Sequence, residues 1–342
     1  MKTDCMVDNS RLKIEIKASL KKLHLITLTA LALFLAMTGD SFAAYPDRPI
    51  RWIVPAGVAG AADSAARIVA EKLSQRLGQP IVIENRPGAS GAIGLDVIAK
   101  SAPDGYTIGT VNLTNLVLNR HLRTNLPFDP DKDFTPIAKI TTQPNIIVVN
   151  PSLPIDSLKN LQSYAKENPG KLFYGSSGTG STLHVAAEIL KREAGIDMVH
   201  VPYKSVSIAN NDLMANNIQL MVDNLSTAAP NVRSGKLRAL AVTAPTRSPL
   251  LPNVPTTSEA GAPGVEMVVW GGVVGPGRMP EAIQKRLSNE IIAVLAMPEV
   301  KERLQALGYE VDGLGPEEFE ALINKENNRW SNFIRQSGIK AE

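Results

Sequence analysis

From Ile50 onward the chain alternates short apolar runs with longer amphipathic ones. That alternation restricts it to α/β folds built on mostly parallel sheets. Residues 50–54 read as a strand, followed by the loop PAGVAGAAD. A helix is expected from near Asp63 to Leu77, because Ala65, Ile68, Val69, Leu73 and Leu77 fall on one face. Asp63 is the expected N-cap and Gly78 the expected stop. A strand at 81–84, the loop RPGASG, a helix to Lys100, a turn at Pro103-Asp104-Gly105 and a strand at 106–111 complete a β-α-β-α-β set.

A second set follows. Residues 137–149 form a long apolar extended run, interrupted at 141–144. Then come a helix at 155–167, a strand at 172–174, a helix at 182–193, a strand at 198–201, a helix near 206–216, a strand at 218–222 and a short helix at 225–234. Residues 237–242 are extended again, 245–263 are Pro-rich, and helices are expected near 280–296, 298–306 and 316–336. Two α/β sets with long extended segments between them predict two domains joined by two crossovers. The first is 44–141 plus 244–342, the second 142–243. Ligands in such folds sit at the carboxyl ends of strands, against helix N-termini.

The stretch before Ile50 is read as a processing segment. Lys21 and Lys22 precede the apolar run 23–39, too short to span a bilayer comfortably. Ser41-Phe42-Ala43 then offers the small residues that signal peptidase needs, so cleavage is expected after Ala43 and export of the mature chain follows. An uncleaved anchor is the alternative. The single cysteine, Cys5, lies in the part removed, so the mature chain has no disulfide and no thiol chemistry. The removed segment carries six Lys/Arg and four Asp/Glu of a chain with net charge +3, so the remainder is nearly neutral and has no nucleic-acid footprint.

The stretch YGSSGTGSTLHVAAE, 174–188, carries the most chemistry. Gly175 and Gly180 have the spacing of a phosphate-binding loop, but Ser181 stands where its lysine belongs. Leu183 breaks the dinucleotide fingerprint, and Thr179 breaks the nucleophile elbow. What remains is a strand end, small residues that admit a ligand, and a helix N-terminus with free N–H groups, which suits a carboxylate. An ordinary strand–helix turn capped by Ser181 is the plain alternative. The loop 55–63 has the same strand–helix setting and could face the first across a cleft, closing on a ligand held by both. His121, His184 and His200 lack metal-ligand spacing, and no metal or other cofactor is expected. Tyr203-Lys204 and Asp223-Asn224 each follow a strand and could reach the cleft. A solvated lysine and a loop-holding aspartate are the bland readings of these. No Ser–His–Asp set or carboxylate pair is specified by spacing, so no catalytic residue is assigned.

Several segments in order resemble one family: YPDRPIRWIVP (45–55), KLSQRLGQPIVIENRPGASGAIG (72–94), APDGYTI (102–108), LPFDPDKDFTPI (126–137), HVPYK (200–204), DNL (223–225), GKLRALAVT (235–243) and LPNVPTTSEAG (251–261). They are similar to the Bug family, the extracytoplasmic solute-binding receptors of tripartite tricarboxylate transporters. The resemblance implies a two-domain periplasmic binding protein-like fold of type II, each domain a mostly parallel sheet flanked by helices, with the ligand cleft between. It implies capture of a small organic carboxylate by main-chain N–H groups, hydroxyls and bridging waters, delivery to a membrane permease, no catalysis, and a monomer. Carried onto this chain, the ligand set is Ala59, Gly60, Ala61, Asp63, Ser176, Ser177, Thr179, Gly180, Ser181, Tyr203, Asp223 and Asn224. The first loop departs from the family's usual P-F-P-P-G-G, having Ala56, Gly57, Val58 and Ala59 between Pro55 and Gly60. Two other readings are kept: a sensor presenting its bound form to a signalling partner, and a secreted α/β hydrolase using Ser177 with His184.

Overall fold

The computed structural model describes residues 45–337. The expected processing segment, 1–43, and Cys5 lie outside the described residues. The fold below is that of the unit from Arg48 on.

Strands β1 (Ile50–Val54), β2 (Ile81–Asn85) and β3 (Thr107–Asn112) form a parallel triplet with β1 in the middle. Trp52 of β1 is fully buried, and its indole N–H donates to Thr110 Oγ1 at 2.8 Å, which removes the cost of an unpaired donor in the core. Helix α1 (Ala61–Leu77) joins β1 to β2 and buries Ala65, Ile68, Val69, Leu73 and Leu77, the expected face. It ends at Gly78 with φ 69°, as a glycine stop should. Its start differs from expectation: Gly60, not Asp63, is the N-cap. Asp63 lies in the first turn, and its carboxylate reaches back to the Ala59 N–H at 2.8 Å. Helix α2 (Ala92–Ala99) leads into β3, which is followed by a π-helical segment, Leu113–Leu118, and the short α3 (Asn119–Leu122).

Strand β4 (Phe134–Val149) is continuous through 141–144, which pair in unbroken register with the strand at 268–276; the two register shifts of that pairing come earlier, at 136–138 and 139–141. Its first stretch pairs with β9 (Val268–Pro276), and its second with β7 (Leu220–Asn224) and β8 (Arg238–Val242), all antiparallel. Beyond it lie a second parallel triplet, β7, β5 (Phe173–Ser176) and β6 (Val199–Pro202). The path is β2-β1-β3-β9-β4-β7-β5-β6, with β8 beside β4. Helices α4 (Leu158–Glu167), α5 (Thr182–Ala194), α6 (Val206–Met214) and α7 (Leu225–Arg233) accompany the second triplet; α8 (Glu281–Leu295), α9 (Pro298–Ala306) and α10 (Pro316–Ser337) close the chain.

β9 is the strand that sequence reasoning left out. Its VVWGGVVGP has a glycine pair mid-run, which weakens any strand signal. The structure supplies the reason: a Cβ on Gly272 would lie 2.3 Å from the Phe319 ring of α10, so the ring sits where a side chain would be.

Between the triplets three segments meet at Thr243, which is fully buried. Its hydroxyl accepts from the Asn145 N–H (2.9 Å) and donates to the Met267 carbonyl (2.7 Å), while its own N–H donates to the Asn145 carbonyl (2.9 Å). Thr243→Val keeps the shape and the main-chain bond to Asn145 but removes both hydroxyl bonds, leaving the Asn145 N–H and the Met267 carbonyl only their longer mutual bond (3.3 Å), so it is expected to cost about 1 kcal/mol. A lower urea midpoint with unchanged slope checks this; an unchanged midpoint would show that the node carries no stability.

Candidate functional site

A cavity of about 510 Å3 opens where the carboxyl ends of both parallel triplets converge. Loops after β1, β2, β3, β5 and β6 all line it, and Asn224 at the end of β7 joins them. This is where α/β sheets place ligands, and the volume is ordinary for a small-molecule site (about 300–1,000 Å3).

The loop after β1 delivers the N-terminus of α1. The first intrahelical bond runs from the Ser64 N–H to the Gly60 carbonyl (3.0 Å), so the N–H groups of Ala61, Ala62 and Asp63 lie ahead of it. No side chain caps them. Gly60, Ala61 and Ala62 line the cavity; Ala59 and Asp63 do not. Ala59 takes a positive φ of 61°, and its N–H is fixed by Asp63. Burial opposes the charge on Asp63, but bonds from Arg67, Asn85 and Ala59 outweigh it and hold the carboxyl below its usual range. Asp63 therefore shapes the loop and keeps its charge paired with Arg67 (3.0 Å). Tyr309, distant in sequence, donates its hydroxyl to the Ala61 carbonyl and lines the cavity too.

The loop after β5 is organised differently. Ser177, Thr179 and Ser181 line the cavity; Ser176 and Gly180 lie behind them. Most of its amides are already used. Ser181 Oγ caps α5 by accepting from the His184 N–H (3.2 Å), the Gly180 N–H donates to His184 Nδ1 (3.1 Å), and the Gly178 N–H donates to Ser176 Oγ (3.2 Å). The Thr182 N–H donates to Thr114 Oγ1 from the π-helical segment (3.0 Å). The more open N-terminus is thus that of α1, not the Gly/Ser-rich one the sequence favoured.

Tyr203 lines the cavity with its hydroxyl bonded to Asp212 (2.7 Å), and Asn224 lines it as well. Asp223 does not. It is fully buried, accepts from Asn210, Thr227 and the Asn224 N–H, and burial pushes its carboxyl up to about 6. Beneath the second loop Tyr174, His200 and His184 stack, with centroids 4.9 and 4.1 Å apart. Burial, chiefly, pushes both histidines down to about 4, so they are neutral at ordinary pH. Ser177 and His184, the pair a hydrolase would need, do not bond. His200 instead meets the buried Ser176 hydroxyl at 2.7 Å.

Sequence reasoning missed Arg123, Thr114, Ser90 and Tyr309. Arg123 and Lys204 bring positive charge to the lining, which contains no Asp or Glu. Only Lys204 had a sequence signal, its place after a strand.

Two parallel triplets sharing a crevice at their carboxyl ends define the periplasmic binding-protein class of fold. Solved structures agree. An R. palustris protein with adipate superposes with a TM-score of 0.84 at 36% identity, covering 87% of this chain and 100% of that one. MatC from Rhodopseudomonas palustris with bound malate gives 0.80 at 31%, covering 84% and 99%. BugT of Bordetella pertussis is 33% identical over 92% of this chain and 98% of its own. The model of the tripartite tricarboxylate transporter family receptor matches residues 65–339, and the chain belongs to that family. It is a solute-binding protein, and membership places it among periplasmic receptors whose relatives are binding proteins rather than enzymes.

Proposed function

We propose that the protein captures a small organic carboxylate in the periplasm and delivers it to the membrane permease of a tripartite transporter, after removal of a signal peptide at Ala43. The observation that carries this is the uncapped α1 N-terminus, opening into a cavity lined by Arg123 and Lys204 and by no acid. Each helix N-terminus favours a negative group by roughly 0.3–1 kcal/mol, more when partly buried. Relatives solved with adipate and malate support the same ligand class. In this reading 44–141 with 244–342 forms one lobe and 142–243 the other, and the Thr243 node lies where the chain crosses between them. Capture closes the lobes over the ligand, with Ala61 and Gly60 on one side and Ser177, Thr179 and Ser181 on the other.

A ligand that binds only the folded form raises stability by RT ln(1 + [L]/Kd), about 2.7 kcal/mol at a hundredfold excess over Kd. A thermal-shift screen of mono-, di- and tricarboxylates, aromatic acids and amino acids should therefore give a large upward shift with carboxylates. A shift confined to uncharged or cationic compounds would overturn the reading.

A further inference from the structure

Arg123 follows the last turn of α3 and lines the cavity, half-buried. A guanidinium has five N–H donors. Here the recorded bonds are long: Nε to Asn119 Oδ1 and Nη2 to the Thr179 carbonyl, both 3.4 Å. Neither acceptor is charged. The neighbouring Arg120 has a carboxylate, Asp131 at 2.9 Å, whereas no described carboxylate lies within ion-pair distance of Arg123. Nor does the Thr179 carbonyl depend on it, since Ser90 Oγ donates to the same oxygen at 2.8 Å. The Ser90 hydroxyl is well placed for this because its backbone is in the left-handed region, φ 51°, and the buried Asn119 side chain holds the Ser90 carbonyl (3.1 Å). The loop contact therefore survives if Arg123 turns to another partner.

A partly desolvated cation without a carboxylate gains most from an anion, and a guanidinium grips a carboxylate through two parallel N–H bonds. Ala61 and Ala62, at the uncapped start of α1, line the same cavity. We infer that Arg123 reads a second anionic group, so that the cargo is a dicarboxylate anchored at one end by the α1 N-terminus and at the other by this guanidinium. The inference rests on the carboxylate reading above and goes beyond it by naming the residue that separates diacids from monoacids. Lys204 is exposed, so its charge is screened by solvent and attracts anions to the cavity without selecting among them.

The test is calorimetric titration of adipate and of hexanoate, which has the same chain with one carboxylate fewer, against the wild type, Arg123→Met and Arg123→Lys. The wild type should bind adipate about 10- to 100-fold tighter, the scale of hydrogen bonds to a charged group. Arg123→Met should lose that preference through adipate alone, and Arg123→Lys should keep part of it, because an ammonium cannot fork. Equal weakening of both acids in Arg123→Met would make the residue a loop contact and overturn the inference. So would a wild type that binds hexanoate as well as adipate, although the carboxylate reading would then stand. A wild type that binds neither acid defeats both readings. Should Arg123→Met fail to fold, the adipate-to-hexanoate ratio of Arg123→Lys against wild type decides: an unchanged ratio overturns the inference.

Discussion

Ala61→Pro is expected to leave the protein folded and to weaken carboxylate binding by about 10- to 100-fold, the loss of a hydrogen bond to a charged acceptor. Ala61 is the first residue of α1, where proline is well tolerated because the N–H it removes has no intrahelical partner. The preceding residue must then be extended, and Gly60 already is, at φ −76° and ψ 169°. The Ala61 carbonyl stays in place for the Tyr309 hydroxyl. The substitution therefore deletes one donor from the cavity and puts a ring carbon in its stead, both acting against a bound anion. Ala61→Gly is the control, since it retains the N–H. Calorimetric titration with adipate beside a urea melt reads the two effects separately. Wild-type affinity in a stably folded Ala61→Pro would mean that this amide is not a ligand donor, and the α1 N-terminus would lose its central place in the site.

How much of this was legible depends on how local each feature is. The α1 face and its Gly78 stop follow from residues within a few turns of each other, so periodicity found them. β9 was illegible because its glycine pair answers to Phe319, on a helix formed more than forty residues later. The interruption at 141–144 read as a break, yet β4 runs through it because pairing with β9 holds the strand there. The site divides in the same way. Both strand–helix loops were visible as punctuation, the first rich in Gly and Ala and the second in Gly and Ser. Which of them keeps its amides open was not, because Thr114 and His184 consume donors of the second loop, while nothing caps the first. Arg123 lies in a segment with no recognisable motif, and only the tertiary fold carries it to the Thr179 carbonyl.

The buried imidazole stack should make the protein acid-sensitive from a pH above the range where ordinary carboxylates titrate. His184 is held down by burial and then by the charge of Lys191; His200 by burial and then by the His184 ring, with Glu188 pulling the other way. In the unfolded chain each takes up a proton near its model value of 6.5, whereas in the folded protein it does so only near 4. Between those limits the unfolded state binds more protons, so the contribution of each buried neutral ring is complete above the upper limit, falls as pH drops between them and is gone below the lower one. A gap of that size corresponds to about 3 kcal/mol for one ring. The two rings stack on each other, so their contributions do not simply add. His121, also lowered by burial, acts in the same direction, while Asp223, raised to about 6, opposes it, since its protonated form is the one the folded state prefers. His184→Asn separates these contributions. Its amide oxygen can take over the acceptor role that Nδ1 plays for the Gly180 N–H, but it cannot be protonated. Urea midpoints followed from about neutral pH down to about pH 4 should fall less steeply in the variant than in the wild type, even though the lost stacking on His200 lowers its starting value. Parallel curves for the two proteins would assign the acid sensitivity to other groups and leave His184 a packing residue.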